Sequence, residues 1–303
     1  MALINTGSFS KALWPGVNTF YGLAYDEFPV EWDKLFDTYT SRKAFEEDVG
    51  VSAFGLAPVK SEGQSVAFDT AIQGFITRYT HVTYGLGFII TREMYEDDLY
   101  DVIGEKRAKA LALSMRQTKE TVGANVFNRA FNSAYIGGDQ VSMINSAHPN
   151  AAGGTQSNTP LVNANISEAA LEQAIIDIAR FTNDRGLKMA FLAETLHIPP
   201  ELMFETERIL ASQFRVGTPN NDMSAFVRMG KIPGGYHVNH YFTSVTNWFI
   251  RTNCPDGLKY FERVADTFSE DNDFDTDNAK FKAYGRYSMG WTDWRSVYGA
   301  QGF

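Results

Sequence analysis

Several groups of residues in the 303-residue chain have types and spacing that could do chemistry. Asp271-x-Asp273-x-Asp275 begins as a calcium loop does, with carboxylates at alternate positions. The sixth position, which must turn sharply, is Thr276 instead of glycine, and the twelfth, which must chelate, is Lys282. A solvated acidic hairpin loop is the better reading. His237-x-x-His240 has the residue types of a metal pair, but residues three apart on a strand point to opposite faces. In His197-Ile-Pro-Pro-Glu201 the prolines break the turn that would align His with Glu. Gly85-x-Gly87 lacks the third glycine of a dinucleotide loop and reads as strand glycines at a close contact. Cys254 precedes Pro255 with no sequence neighbour to activate a thiolate, so it reads as a quiet thiol. No Gly-x-Ser-x-Gly elbow anchors a nucleophile. These residues predict no catalytic, cofactor-binding or metal site, and the chain is expected not to be an enzyme.

Composition narrows the classes further. The net charge of −9, from 27 basic and 36 acidic residues, argues against a general nucleic-acid-binding surface, though an acidic protein can enclose DNA without gripping it. One cysteine excludes an intrachain disulfide and a Cys-based zinc site, which fits a reducing compartment or a fold that needs no disulfide. No run of about 18 apolar residues is present, so no helical membrane span is expected. Met1 to Lys11 lacks the apolar run of a secretory leader.

The elements are organised around a long helix. Thr91 to about Asn132 reads as one helix, with Thr91 as N-cap, acidic residues in the first turns and Gly137-Gly138 as the stop. Its apolar stripe is narrow: Leu99, Val102, Ile103, Ala110 and Leu113, then Val122, Val126, Phe127, Ala130 and Phe131. Before it, Val51–Val59 and Phe75–Ile90 read as the two limbs of an extended β-ribbon, turning at Lys60–Gln64 with Gly63 as the permissive residue. A two-stranded ribbon is marginal in water and would gain from packing, either on another molecule or on its own domain, and the spacing does not choose between them. Residues 1–48 scatter aromatics among Gly and Pro and read as an arm, with a short helix over about 31–38. After the helix comes a loop to about Asn165, then a compact α/β region. There Ser167 caps a helix, Leu187–Ile198 is strand-like and Glu201–Ser212 is helical. Tyr236–Thr243 and Thr246–Arg251 read as strands around a short turn. From Leu258, two more strands follow, and the second places Phe281, Ala283, Gly285, Tyr287 and Met289 on one face.

This order of elements resembles the major capsid proteins of tailed bacteriophages with the Hong Kong 97 fold, and within them the Mu-like major head subunit group. The likeness is carried by Leu56-Ala-Pro-Val-Lys-Ser-Glu-Gly63, Tyr79-Thr-His-Val-Thr-Tyr-Gly-Leu-Gly-Phe-Ile-Ile-Thr-Arg-Glu93 and His148-Pro-Asn150. It continues through Leu187–Leu202, Trp248-Phe-Ile250 and Gly290-Trp-Thr-Asp-Trp-Arg295. The fold class it implies is α+β: an N-terminal arm (1–48), an extended β-ribbon loop (49–90), and a peripheral domain with the spine helix and a β-sheet (91–165). An α/β axial domain (166–255) and return strands to the peripheral sheet (256–303) complete it.

The resemblance further implies a structural protein without cofactor. It would assemble as a homo-oligomer of pentamers and hexamers into the icosahedral head of a virion, in the bacterial host cytoplasm, around double-stranded DNA. Partners would include a portal and scaffolding or decoration proteins, and no membrane. Lys60, Ser61, Glu62, Gly63, Gln64 and Arg78 of the extended loop, and Trp14, Phe20 and Tyr21 of the arm, would meet neighbouring subunits. The alternatives are an encapsulin-like compartment shell and a cytosolic α/β enzyme. Cross-linking through Lys60 is not carried over, because the partners that reaction needs cannot be picked out in this sequence.

Overall fold

The computed structural model describes residues 21–22, 25, 27, 29–96, 100–150, 153–213, 223–273 and 278–303. In chain order the elements are α1 (Trp32–Leu35), β1 (Asp37–Thr40), β2 (Phe45–Val51), β3 (Gln73–Thr80), β4 (Val82–Ile90), α2 (Arg92–Glu96) and α3 (Tyr100–Asn128). Then come β5 (His148–Pro149), β6 (Thr155–Gln156), α4 (Glu168–Ala179), β7 (Ala193–Ile198), α5 (Met203–Ala211) and α6 (Ala225–Met229). The chain closes with β8 (Tyr236–Val238), β9 (Trp248–Thr252), β10 (Leu258–Asn272), β11 (Ala279–Trp291) and β12 (Val297–Ala300). Among the described residues no helix is long and apolar enough to cross a membrane.

Two four-stranded sheets carry the molecule, in the orders β1-β10-β11-β4 and β12-β9-β7-β8. The first is built on the β10–β11 hairpin. The period-two pattern of β11 appears as a buried row of Phe281, Ala283, Gly285 and Tyr287. β4 pairs antiparallel with β11 from Ile90–Ala279 to Val82–Tyr287. Gly87 is required in that pairing, since a Cβ there would come within 2.5 Å of the Phe281 carbonyl oxygen. The close contact expected of the Gly85–Gly87 pair holds at Gly87 alone, since a Cβ at Gly85 would lie 3.5 Å from the Ala283 carbonyl oxygen, an ordinary distance.

The ribbon differs from the sequence reading. Its limbs are β2 and β3, paired from Phe45–Thr80 to Val51–Gln73, and residues 52–72 contain no strand. The outgoing limb therefore ends at Val51 instead of starting there, and the returning limb stops at Thr80 instead of running on to Ile90. The chain changes partner at His81, which is buried between two serine hydroxyls. Its Nε2 lies 3.0 Å from Ser41 Oγ and its Nδ1 3.0 Å from Ser288 Oγ. From Val82 onward the backbone pairs with β11.

The long helix is also corrected. Thr91 Oγ1 accepts the Met94 N–H at 3.4 Å, so the cap stands. Residues 97–99, Leu99 among them, lie outside the described residues, and helix α3 ends at Asn128, well before Gly137-Gly138. The Asn128 side chain turns to the next domain there, donating to the Tyr241 carbonyl at 3.1 Å and accepting the Thr243 N–H at 2.9 Å. Gly137 and Gly138 serve close packing instead: a Cβ on the first would overlap the Trp291 ring, and on the second would meet Thr77 Oγ1 at 2.7 Å. The buried face of the first half carries Ala108, Leu111, Ala112 and Met115, while the expected Ala110 is exposed. That face continues through Arg116, Lys119 and Glu120, all buried, which an apolar pattern cannot register.

In the second sheet, β8 and β9 are not a hairpin pair. β7 lies between them, parallel to β8 and antiparallel to β9. The strand before Pro199 is shorter than expected, beginning at Ala193. Ser167 caps α4 by accepting the Ala170 N–H at 3.2 Å. The helix stops at Ala179, earlier than the expected Asn183, so Gly186, with φ 79°, serves the turn from Asn183 to Leu187 and not the helix end. Two pairings cross the expected segment limits: β1 joins the first sheet beside β10, and the tail strand β12 joins the second beside β9. One apolar core spans both sheets, with Trp248, Tyr260, Tyr287, Tyr298 and Phe127 fully buried.

A polar cluster ties the loop after α3 to the tail. Asn158 Nδ2 donates to the carbonyls of Met143, Val297 and Trp294 at 2.8, 3.0 and 3.2 Å. That orientation turns Asn158 Oδ1 toward the Asn145 N–H at 2.8 Å and His148 Nε2 at 3.1 Å. His148 Nδ1 lies 2.6 Å from Asp139 Oδ2, and its ring stacks on Trp294.

Candidate assembly surface

The residue groups with chemical potential are dispersed. Asp273 accepts from Lys280 Nζ at 2.7 Å, and Asp275 lies outside the described residues. His240 is drawn to Glu31, with Nδ1 2.6 Å from Oε1 and its N–H 2.9 Å from Oε2. His237 instead stands beside His197 across the parallel β7–β8 pair, with ring centroids 5.6 Å apart. Burial, with His237 and Arg251 nearby, pushes the fully enclosed His197 imidazole down to about 3. Burial and the Asp293 carboxylate push the Cys254 thiol well above the usual range, which keeps it protonated and unreactive. Among the described residues, no cluster of three or more His, Cys, Asp or Glu side chains could hold a metal ion.

What the surface does offer is a long apolar loop. Lys60, Ser61, Glu62, Gly63 and Gln64 are all exposed at its tip. There Gly63 has φ 77°, and the Gln64 N–H donates to the Ser61 carbonyl at 3.2 Å. On either side of the tip, Leu56 is 80% exposed, Val59 99% and Phe68 96%. Isolated exposed apolar residues are ordinary, but this many on one projecting loop mark an interaction surface. On β3 and β4, Phe75, Ile76, Val82, Leu86 and Ile89 are exposed as well. Arg78 lies on β3 opposite Glu47, toward the end of the ribbon away from the loop, its guanidinium 3.6 Å from the Phe45 ring centroid and 3.9 Å from Glu47 Oε1.

Of the arm residues, Trp14 and Phe20 lie outside the described residues. Tyr21 is buried on its own subunit, stacked on Phe268 with centroids 4.8 Å apart and packed against Leu111, Ala112 and Met115 of α3. Beside it a cleft of about 490 Å³ is lined by Tyr25, Trp32, Arg116, Lys119, Glu262 and Asp266. Its charges are used internally. Lys119 Nζ lies 3.3 Å from Asp266 and 3.9 Å from Glu262, and over the rings of Trp32, Tyr260 and Tyr287. Glu120 pairs with Arg116 at 3.3 Å and accepts the N–H groups of Glu31 at 3.1 Å and Trp32 at 2.8 Å. Burial nevertheless pushes the Glu120 carboxyl above the usual carboxylate range. The cleft is a seam between arm, helix and sheet. The pairing of Asp69 with Arg185 at the foot of the loop had no sequence signal, because the two lie far apart in the chain.

The phage capsid protein family matches residues 76–300. No curated protein matches the sequence. Among solved structures, the mature capsid of bacteriophage PhiM1 is similar with a TM-score of 0.55 at 11% identity, over 90% of this chain and 87% of that one. The virus-like particle from Pyrococcus furiosus gives 0.53 at 12% identity, over 95% and 99%. The procapsid of bacteriophage JBD30 gives 0.51 at 13% identity, over 98% and 76%. At these identities the likeness speaks to the fold, and the family match speaks to the role. With a projecting apolar loop and no assembled reactive centre among its described residues, this chain belongs to the phage capsid protein family, as a shell-forming structural protein of the virion.

Proposed function

We propose that this capsid protein assembles through pentamers and hexamers into the icosahedral head of a tailed phage, enclosing double-stranded DNA. In that reading the chain divides as in the Hong Kong 97 fold. Residues 49–90 are the extended loop, with the strandless residues 52–72 at its outer end, α3 is the spine of the peripheral domain, and the β7–β9 sheet with α4 and α5 is the axial domain around the symmetry axes. Lys60 to Gln64 and Arg78 are the loop's contacts with a neighbour, and the segment holding Trp14 and Phe20 reaches another. The subgroup its sequence resembles is the Mu-like major head subunits. A portal, with scaffolding or decoration proteins, completes the assembly in the host cytoplasm.

The observation that carries this reading is the loop itself. Leu56, Val59 and Phe68 are almost fully exposed on a projection that its own subunit does not cover. Burying each on a neighbour is worth about 2 kcal/mol. Extended segments of this kind let a shell bury area without one large flat interface. The acidic balance of −9 suits a container that must release its genome.

The test is assembly of the purified chain, followed by sedimentation and negative-stain microscopy. Closed shells that contain nucleic acid are expected. Deleting residues 60–64 is expected to leave the subunit folded and block closure. A chain that stays monomeric or dimeric at high concentration would overturn the reading, as would a deletion that unfolds the subunit. Shells filled with protein cargo would replace the phage head with a compartment.

A further inference from the structure

The loop is held at its foot by two successive ties. Ser52 N–H donates to the Ile72 carbonyl at 2.9 Å, and Ile72 N–H donates to Ser52 Oγ at 2.8 Å. Beyond them, Asp69 on the returning limb accepts the N–H of Gly55 on the outgoing limb at 2.9 Å, and that of Thr70 at 2.8 Å. Arg185 then grips the same carboxylate. Its Nη1 lies 2.7 Å from Oδ2 and 3.0 Å from Oδ1, and its Nη2 donates to the Thr70 carbonyl.

Arg185 belongs to a different part of the fold, the tight turn between α4 and β7. That turn is itself fixed. Asn183 Oδ1 accepts the N–H groups of Arg185 and Leu187, both at 2.9 Å. The adjacent Asp184 is held by Arg295 at 3.0 Å. The loop is thus pinned to the body that carries the second sheet, and every residue from Leu56 to Phe68 beyond the pin is exposed.

We propose that Asp69 and Arg185 form a clasp that aims residues 56–68 away from the body, so that the loop meets a neighbouring copy already ordered at its foot. The inference rests on the assembly reading above. Both side chains are partly exposed, at 42% and 22%, so the pair adds little to subunit stability. Its effect is on conformational freedom. It shortens the segment that must be ordered on docking, and ordering cost subtracts directly from association. Asp69 and Arg185 are positioning residues, since neither lies in the part of the loop offered to the partner.

The test uses the full chain with Arg185→Ala, Asp69→Ala and the double variant. Hydrogen exchange is read in the unassembled subunit, and light scattering follows assembly. Arg185→Ala is expected to speed exchange of the Gly55 amide by about fivefold, as loss of a pair of this exposure allows, although Arg185 does not touch that amide. Each single variant should slow assembly several-fold with the thermal midpoint of the subunit unchanged. The double variant should be no slower than Asp69→Ala alone, since that change already removes the carboxylate that Arg185 grips. Unchanged Gly55 exchange in Arg185→Ala would overturn the clasp, and so would additive effects on assembly. If the wild-type chain forms no shell, the assembly reading fails, while Gly55 exchange still decides whether the clasp exists.

Discussion

Lys119 Nζ lies 3.3 Å from Asp266 Oδ2, with both side chains only 6% exposed, so the long helix meets β10 through a buried ion pair. The same carboxylate accepts from Tyr25 Oη at 2.5 Å, and the side chain lies against Gly285, where any Cβ would collide with it. This is the point at which arm, helix and sheet are joined. A buried charge is tolerable only while its partner is present. Lys119→Met should therefore cost the subunit about 3 kcal/mol in urea unfolding. Adding Asp266→Asn should recover part of the loss, because the buried carboxylate is then replaced by a neutral group, while Glu262 keeps contact with solvent. A double variant that is less stable than the single one would contradict this account.

Asn158 is fully buried and satisfies three carbonyls, one backbone amide and His148. Asn158→Ala should lower stability by about 3 kcal/mol, since several buried polar groups lose their partner at once. Asn158→Asp should cost at least as much, because a carboxylate oxygen would then face carbonyl oxygens. Denaturant midpoints of the two variants check both statements.

His197 supplies a pH dependence. Its folded-state value is depressed to about 3 from the ordinary 6.5, so the native state holds it neutral while the unfolded chain binds a proton. Its contribution to stability is complete above about pH 6.5 and is lost as pH falls toward 3. At pH 5 the loss is about 2 kcal/mol. The unfolding free energy of His197→Gln should fall less steeply between pH 6.5 and pH 4 than that of the wild type, as measured by urea titrations at each pH.

The loop tip separates folding from assembly. Phe68→Ser and Val59→Ser remove apolar groups that are 96% and 99% exposed, so the subunit's stability should move by no more than about 0.5 kcal/mol. Shell yield in sedimentation should fall sharply for both variants together. The exposed control Leu161→Ser, at 101% exposure away from the loop, should leave the subunit's stability equally unmoved.

Features set by near neighbours along the chain were readable in advance. The alternation of β11, the Ser167 and Thr91 caps and the left-handed Gly186 all depend on residues within a few positions of one another. An extended segment turning at Lys60–Gln64 was visible too, but its course was not. Nothing local at His81 announces that the backbone leaves β2 there and pairs with a strand some 200 residues later. The first half of α3 was misjudged for a related reason. Ala108 and Ala112 are small enough to bring the helix against the sheet, and Arg116, Lys119 and Glu120 are buried because their partners come from the arm and β10.

By itself, the order and periodicity of residues determined a long helix, an extended segment before it, a compact α/β region after it and no recognisable reactive motif. Those properties follow from side-chain period and local backbone preference, which act over a few residues. The tertiary structure decided which strands pair, where β12 and β1 go, how buried charges are neutralised, and that Arg185 holds the foot of the loop. Pairing and neutralisation are long-range events. A strand's period states which face is buried and leaves its neighbour open, and a charge on a helix becomes a core residue only when an opposite charge arrives from elsewhere in the chain.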